Sequence, residues 1–260
     1  MKRVVVISDL HCGHKTGLTH PDWNPPLSKD AFDYKLYRLR RTMWNFYTSV
    51  MEELQPINTL IVNGDANEGK SDKSGARGLI TPDRIEQADM ATAAAEEAKA
   101  REVVMSSGTP YHTGNSEQFE KLIAKQVKAR AFVEHGWHNV NGVIFDYRHF
   151  VSRSSIPHGR FTPLARERLW NVLQDEHEDH PKASIILRSH VHYFAFCGGS
   201  NWLGVITPGL QAHTEFGEGR VSGTVDIGIV WFDVEESGEY SWHHKILKLK
   251  SARHRALKAK

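Results

Sequence analysis

Three short polar clusters, each directly behind an apolar run, carry the side chains most able to do chemistry. They are Ser8-Asp9-Leu10-His11, Asn63-Gly64-Asp65 and Ser189-His190-Val191-His192. Carboxylate oxygen and neutral imidazole are the donors that suit manganese, iron, zinc or nickel, and a carboxylate can bridge two cations. No cysteine stands among them, so the set points to a hydrolytic pair of divalent ions rather than a structural zinc site. Residues two apart on an extended chain face the same way, so Asp9 with His11, and His190 with His192, can each offer two donors to one point. One Asp-x-His alone would read as a turn; three clusters behind three strands do not.

The clusters can meet only if the strands ahead of them lie side by side. Val4–Ser8, Thr59–Asn63 and Ser184–Arg188 read as short strands of a sheet covered on both faces. Between them, Ala31–Leu54 predicts a helix from the spacing of Phe32, Leu36, Leu39, Met43, Phe46, Val50 and Leu54, with Pro56 closing it. Helices are also expected at Ile85–Ala100, Ser116–Ala131 and Pro163–His180, and strands at Glu102–Ser106, Val143–Tyr147 and Gly204–Ile206. Thr224–Val234 and Tyr240–Leu249 predict an antiparallel hairpin turned at Glu236-Ser237-Gly238. The order predicts a layered α/β fold with mixed sheets, and in such sheets ligands bind at the strand carboxyl ends. His14–Lys29 and Gly69–Pro82 read as insertions of the kind that face substrate. Lys15, His20, Trp23, Lys29, Lys70, Lys73 and Arg77 give them a basic and partly aromatic character, which suits a nucleotide or nucleic-acid substrate.

In order along the chain, Asp9-x-His11, Gly64-Asp65, a Gly-containing loop bearing a His, an isolated His and His190-x-His192 resemble the motifs of the calcineurin-like metallophosphoesterases. The resemblance runs from residue 9 to residue 192. It implies a four-layered α/β/β/α sandwich with two mixed sheets and a dinuclear metal centre. By the same resemblance Asp65 bridges two divalent ions (Mn, Fe, Zn or Ni), Asp9, His11 and His192 hold the first, and His190 holds the second. The isolated His is matched by His149, at the end of the strand Val143–Tyr147, with His158 as the competing candidate.

The third motif departs from the family pattern. Thr109 stands where an Asn is expected after Gly108, and His112 follows three residues later. This is similar to a Gly-Thr-x-x-His variant in phosphoesterases of phages and prophages. His112 then takes the catalytic role of proton donor to the leaving oxygen. A water, Thr109 or Asn67 would replace the lost amide at the second metal. The implied activity is hydrolysis of phosphate mono- or diesters by a metal-activated hydroxide, on nucleotides or nucleic acid. The rival reading is a catalytically weak, metal-binding scaffold of the same fold. Arg148 and Arg188 either contact phosphate or point away from the site.

Bulk properties narrow the class. A formal net charge of +2 announces no nucleic-acid binder by itself, although Lys245 to Lys260 is basic and carries no acid. One domain is expected over residues 1–250, with a basic tail at 251–260. Two cysteines, Cys12 and Cys197, make no disulfide framework, and no apolar run is long enough for a membrane span, so the expected location is the cytoplasm. Phe194, Phe196 and Trp202 read as core, His177 and His180 as surface, and the rings of His243 and His244 as facing opposite sides of a strand. No signal bears on the oligomeric state.

Overall fold

Val4 and Val6 point to one side of the first strand and Val5 and Ile7 to the other, and all four are buried, so both faces of that strand are covered. The computed structural model describes residues 1–25, 31–71, 75–113, 118–154, 156–214 and 223–249. In chain order the elements are β1 (Lys2–Ile7), α1 (Ala31–Glu53), β2 (Thr59–Asn63), α2 (Arg84–Glu97), β3 (Glu102–Ser106), α3 (Pro110–Thr113), α4 (Phe119–Gln126), β4 (Ala131–Val133), β5 (Gly136–Val140) and β6 (Val143–Tyr147). They continue with α5 (Thr162–Glu176), β7 (Ile185–Arg188), β8 (Ala195–Gly198), β9 (Leu203–Ile206), β10 (Ile227–Val234) and β11 (Tyr240–Leu247).

The strands form two mixed sheets, ordered β11-β10-β1-β2-β3-β4 and β5-β6-β7-β9-β8. In the first, β1 through β4 run parallel and β10 and β11 are added antiparallel. In the second, β6, β7 and β9 run parallel between antiparallel edges. Val4, Val6, Ile61, Val104, Phe145, Ile185, Leu187, Val205 and Phe232 fill the space between the sheets. Met43, Tyr47 and Met51 of α1 and Ala88, Ala91 and Ala95 of α2 cover the outer face of the first sheet. Leu164 of α5 covers the second with Ala195 and Ile206. The layers are therefore α/β/β/α, as the sequence implied.

Three strands were not expected. The helix at Ser116–Ala131 is shorter among the described residues, at Phe119–Gln126. Lys128, at a left-handed φ of 53°, ends it, and Ala131–Val133 then pairs parallel with β3. β5 forms a hairpin with β6 in the register Val140↔Val143, and β8 pairs with β9. Phe196 does not enter the core: it is 46% exposed, whereas Phe194 packs partly buried against the inter-sheet core. His243 stacks on Trp231 and His244 lies against Phe194, so the two rings do take opposite faces.

The described parts of the two insertions bind each other. Lys15 N–H donates to Gly78 O and Ile80 N–H to Gly13 O, and Arg40 of α1 donates to Asn24 Oδ1 and Lys15 O. His20 lies edge-on to Trp44 of α1, and Trp23 packs against the same core, so these two rings serve packing. Lys29 and Lys73 lie outside the described residues, as does the basic tail at 251–260. Among the described residues no helix is long and apolar enough to cross a membrane.

Candidate metal centre

A buried hydroxyl and amide network ties the two sheets together at one end. Ser106 Oγ donates to Asn63 Oδ1, and Asn63 Nδ2 donates to Ser189 Oγ. Thr207 Oγ1 lies 2.7 Å from Ser189 Oγ and 2.8 Å from Ser8 Oγ. These residues sit at the carboxyl ends of β1, β2, β3, β7 and β9, so the network fixes the point from which the candidate residues leave their strands. Unmade, such buried bonds would cost about 1–3 kcal/mol each.

Asp9 N–H then donates to Gly64 O and His11 N–H to Asp65 O, so the loops after β1 and β2 run side by side. Asp9, His11, Asp65, His190 and His192 have φ of 50°, 45°, 51°, 75° and 57°, the left-handed region that side-chain-bearing residues rarely adopt. Strict strand alternation was the wrong reason to expect their convergence; tight turns aim them instead. Such backbone costs about 1–3 kcal/mol per residue and persists only where the surroundings fix it. Close approach also demands glycine. A Cβ on Gly64 would lie 2.6 Å from the His149 ring, and one on Gly108 would lie 2.1 Å from Asp65 Oδ1.

Among the described residues, three overlapping groups of side chains able to hold a metal ion result: Asp9, His11 and His192; Asp65, His149 and His190; and His11, Asp65 and His112. His192 Nε2 lies 3.2 Å from Asp9 Oδ1. His149 Nε2 lies 2.9 Å from Asp65 Oδ2 and 3.9 Å from Asp9 Oδ1, but it is out of hydrogen-bond alignment with either. All seven candidate residues are thus brought to one place, and His149 rather than His158 is the isolated His among them. His158 sits in an exposed turn, Pro157–Gly159.

The buried site sorts its charges sharply. Burial drives Asp9 and Asp65 toward neutrality, but His192 and His149 beside Asp9, and His149 and His112 beside Asp65, outweigh it and hold both carboxyls below the usual range. Burial opposes a charged His149, yet Asp65 and Asp9 push its pKa up to about 10. His190 is lowered to about 4 by burial and by His149.

Two acids missed in the sequence hold the candidates in place. Glu68 Oε2 lies 2.8 Å from His11 Nδ1, and Ser71 Oγ donates to the other oxygen. Glu120 of α4 is fully buried and accepts from the backbone N–H of Ala66 and Gly108, clamping the loops that carry Asp65 and Thr109. The only signal for Glu68 was its place three residues after Asp65; Glu120 had none. Arg188 and Arg148 were candidates for phosphate contact, but Arg188 is 1% exposed and donates to Asp146 and Glu167. Arg148 pairs with the same Glu167. The phosphate-contact reading is dropped for Arg188, because its charge is already neutralised under α5.

No family model and no curated protein matches the sequence. Among solved structures the chain is similar to wild-type Vps29 of Entamoeba histolytica complexed with zinc, at 12% identity over 94% of this chain and 98% of that one, with a TM-score of 0.43. It is similar to an archaeal phosphodiesterase at 11% identity over 94% and 99%, TM-score 0.47. It is also similar to an uncharacterized protein of Streptococcus pneumoniae, a predicted phosphoesterase, at 12% identity over 95% and 98%, TM-score 0.36.

Proposed function

We propose that the chain is a metal-dependent phosphoesterase of the calcineurin-like kind, hydrolysing phosphate mono- or diesters, with Asp9, His11, Asp65, His149, His190 and His192 as ligands to two divalent ions. The observation that carries the proposal is the set of buried ligand atoms without hydrogen-bond partners at one point: Asp9 Oδ1, His149 Nε2 and His190 Nδ1. Buried polar atoms are rarely left so, and these are the donor types that divalent cations take. The imidazoles are pre-set in the same sense. His149 Nδ1 donates to Asn63 O across 2.7 Å and His11 Nδ1 faces Glu68, leaving each Nε2 for the site, the usual outer support of a ligating His.

Two cations held there would supply Lewis acidity toward the phosphoryl oxygens and lower the pKa of water. Asp65 belongs both to the group with His149 and His190 and to the group with His11 and His112, which supports the reading that its carboxylate would bridge the two ions. His112 donates Nδ1–H to Glu68 O. Burial opposes its charge, but Asp65 and Glu68 raise its pKa, so it can carry a second proton on Nε2 for the departing alkoxide. Thr109 does not stand in for the missing Asn as a free donor, since its N–H and hydroxyl both lie against the Asp65 carboxylate. Asn67 is the better replacement: its Oδ1 is buried without a partner. The test is hydrolysis of bis-p-nitrophenyl phosphate and p-nitrophenyl phosphate with manganese added. Manganese-dependent turnover lost in Asp65→Asn supports the proposal; no turnover above the chelator-treated protein leaves a scaffold.

A further inference from the structure

Beyond the cluster, the segment following His149 builds a second set of recognising groups that the hydrolytic reading does not use. Phe150 is 53% exposed, its ring centroid 5.0 Å from that of His190 at a 39° tilt. An exposed aromatic face beside a candidate ligand is a stacking platform at the rim of the site. Arg153 follows three residues later, within about 11 Å of Phe150 by chain length alone.

Arg153 converges with Arg160. A Cβ placed on Gly223 would lie 2.8 Å from Arg153 Nη2 and 3.8 Å from Arg160 Nη2, so both guanidinium groups crowd one backbone position. Arg160 also lies 4.6 Å over the Tyr193 ring and donates to Thr224 Oγ1 across 3.0 Å. Burial lowers the Arg153 pKa; Tyr193 opposes this, and the like charge of Arg160 adds to it. Tyr193 supplies an independent observation: it is 1% exposed, and its hydroxyl is buried with no hydrogen-bond partner. Each segment of this arrangement adjoins the cluster. Phe150 adjoins His149, Tyr193 adjoins His192, and Asp226, two residues after Thr224, donates its N–H to His192 O.

An exposed aromatic ring three residues before one of two convergent guanidinium groups suits single-stranded nucleic acid, where unstacked bases offer a π-face and the backbone offers phosphates. A duplex hides those faces. We propose that this rim is a single-stranded nucleic-acid subsite, in which Phe150 stacks a base beside His190 and Arg153, Arg160 and the Tyr193 hydroxyl hold a neighbouring phosphate. As a substrate assignment this rests on the phosphoesterase reading; as a binding site it does not.

The test therefore begins without metal. Chelator-treated full-length protein is titrated into fluorescein-labelled oligothymidylate and followed by fluorescence anisotropy. The double variant Arg153→Ala/Arg160→Ala is expected to bind at least tenfold more weakly and to lower the salt slope by about 0.7, the value of one single-strand phosphate contact. A charge-matched control, Arg101→Ala/Arg130→Ala at the opposite ends of the strands, should bind as the parent does. Phe150→Ala should weaken binding roughly fivefold or more, with no effect on an abasic oligomer, and Tyr193→Phe should weaken it while leaving the fold intact. With manganese, the double variant should raise KM for the oligonucleotide relative to bis-p-nitrophenyl phosphate while kcat holds. A parent that does not bind oligothymidylate at low salt, or a double variant that binds as tightly as the control, overturns the proposal. So does equal binding of inorganic polyphosphate or abasic oligomer, which would mark a general polyanion surface. Specific binding without hydrolysis of any ester would keep the subsite and refute the phosphoesterase reading.

Discussion

His112 Nδ1 donates to the backbone carbonyl of Glu68 across 2.7 Å, and the Glu68 carboxylate lies 2.8 Å from His11 Nδ1. One residue thus orients both the candidate proton donor and a candidate ligand. His112→Ala should keep both metals, because the two groups Asp9, His11, His192 and Asp65, His149, His190 are complete without it. It should lose roughly 10²–10⁴ in kcat, the contribution of a general acid. Metal analysis beside steady-state kinetics checks this; loss of a metal from a folded variant would make His112 a ligand.

Glu68→Ala should act on the metal instead. Removing the partner of a ligating imidazole typically costs about 10–100-fold in affinity or activity. Glu68→Gln should cost less, since an amide oxygen can still accept from His11 Nδ1. Calorimetric titration with manganese ranks the two, and equal affinities in both variants and the parent would remove Glu68 from the account.

Stability should respond to the network under α5. Asp146 is buried and pairs with Arg188 at 2.6 Å; burial pushes its carboxyl up, but Arg188 and His135 prevail and hold it below the ordinary value. A depressed carboxyl adds stability above its unfolded pKa of about 3.9, and that stability is lost as pH falls through the lower folded value. Asp146→Asn should destabilise by about 3–5 kcal/mol at neutral pH, the cost of uncovering a buried charge. The gap to the parent should narrow below about pH 4. Denaturant melts at the two pH values measure both effects; a neutral-pH change under about 1 kcal/mol would mean Glu167 alone suffices.

Much of this was legible because the strands are short apolar runs that end in polar clusters: Val4 to Ile7 and Thr59 to Asn63 lie where their β-branched residues put them. β5 was also legible, since Asn141-Gly142, at φ of 50° and 88°, is a strong hairpin signal. It was overlooked because Gly136-Trp137-His138-Asn139 lacks apolar alternation. Glu120 could not have been read, because a Glu on an amphipathic helix is ordinarily solvated and only the fold brings its carboxylate to Ala66 and Gly108. The same holds for the left-handed turns at Asp9 and His190, which no residue type there announces. Chain spacing put His149 near the site but could not exclude His158; the parallel pairing of β6 with β7 places His149 beside His190.

Loading of the two metals should be unequal. Thr109 is engaged with Asp65, so in the proposed centre the second ion would rely on His149, His190, Asp65 and the unpartnered Asn67 Oδ1. One metal should survive dialysis and the other be restored by added manganese, with activity following the second. Asn67→Ala should widen the difference in affinity. Two equally tight sites that Asn67→Ala leaves unchanged would show that another donor replaces the missing amide.

The most direct measurement is anomalous diffraction from crystals grown with manganese. The account predicts two peaks roughly 3.5–4 Å apart, with the Asp65 carboxylate between them, one peak beside Asp9, His11 and His192 and the other beside His149 and His190. A lone peak at saturating manganese, or two peaks that Asp65 does not join, would contradict it.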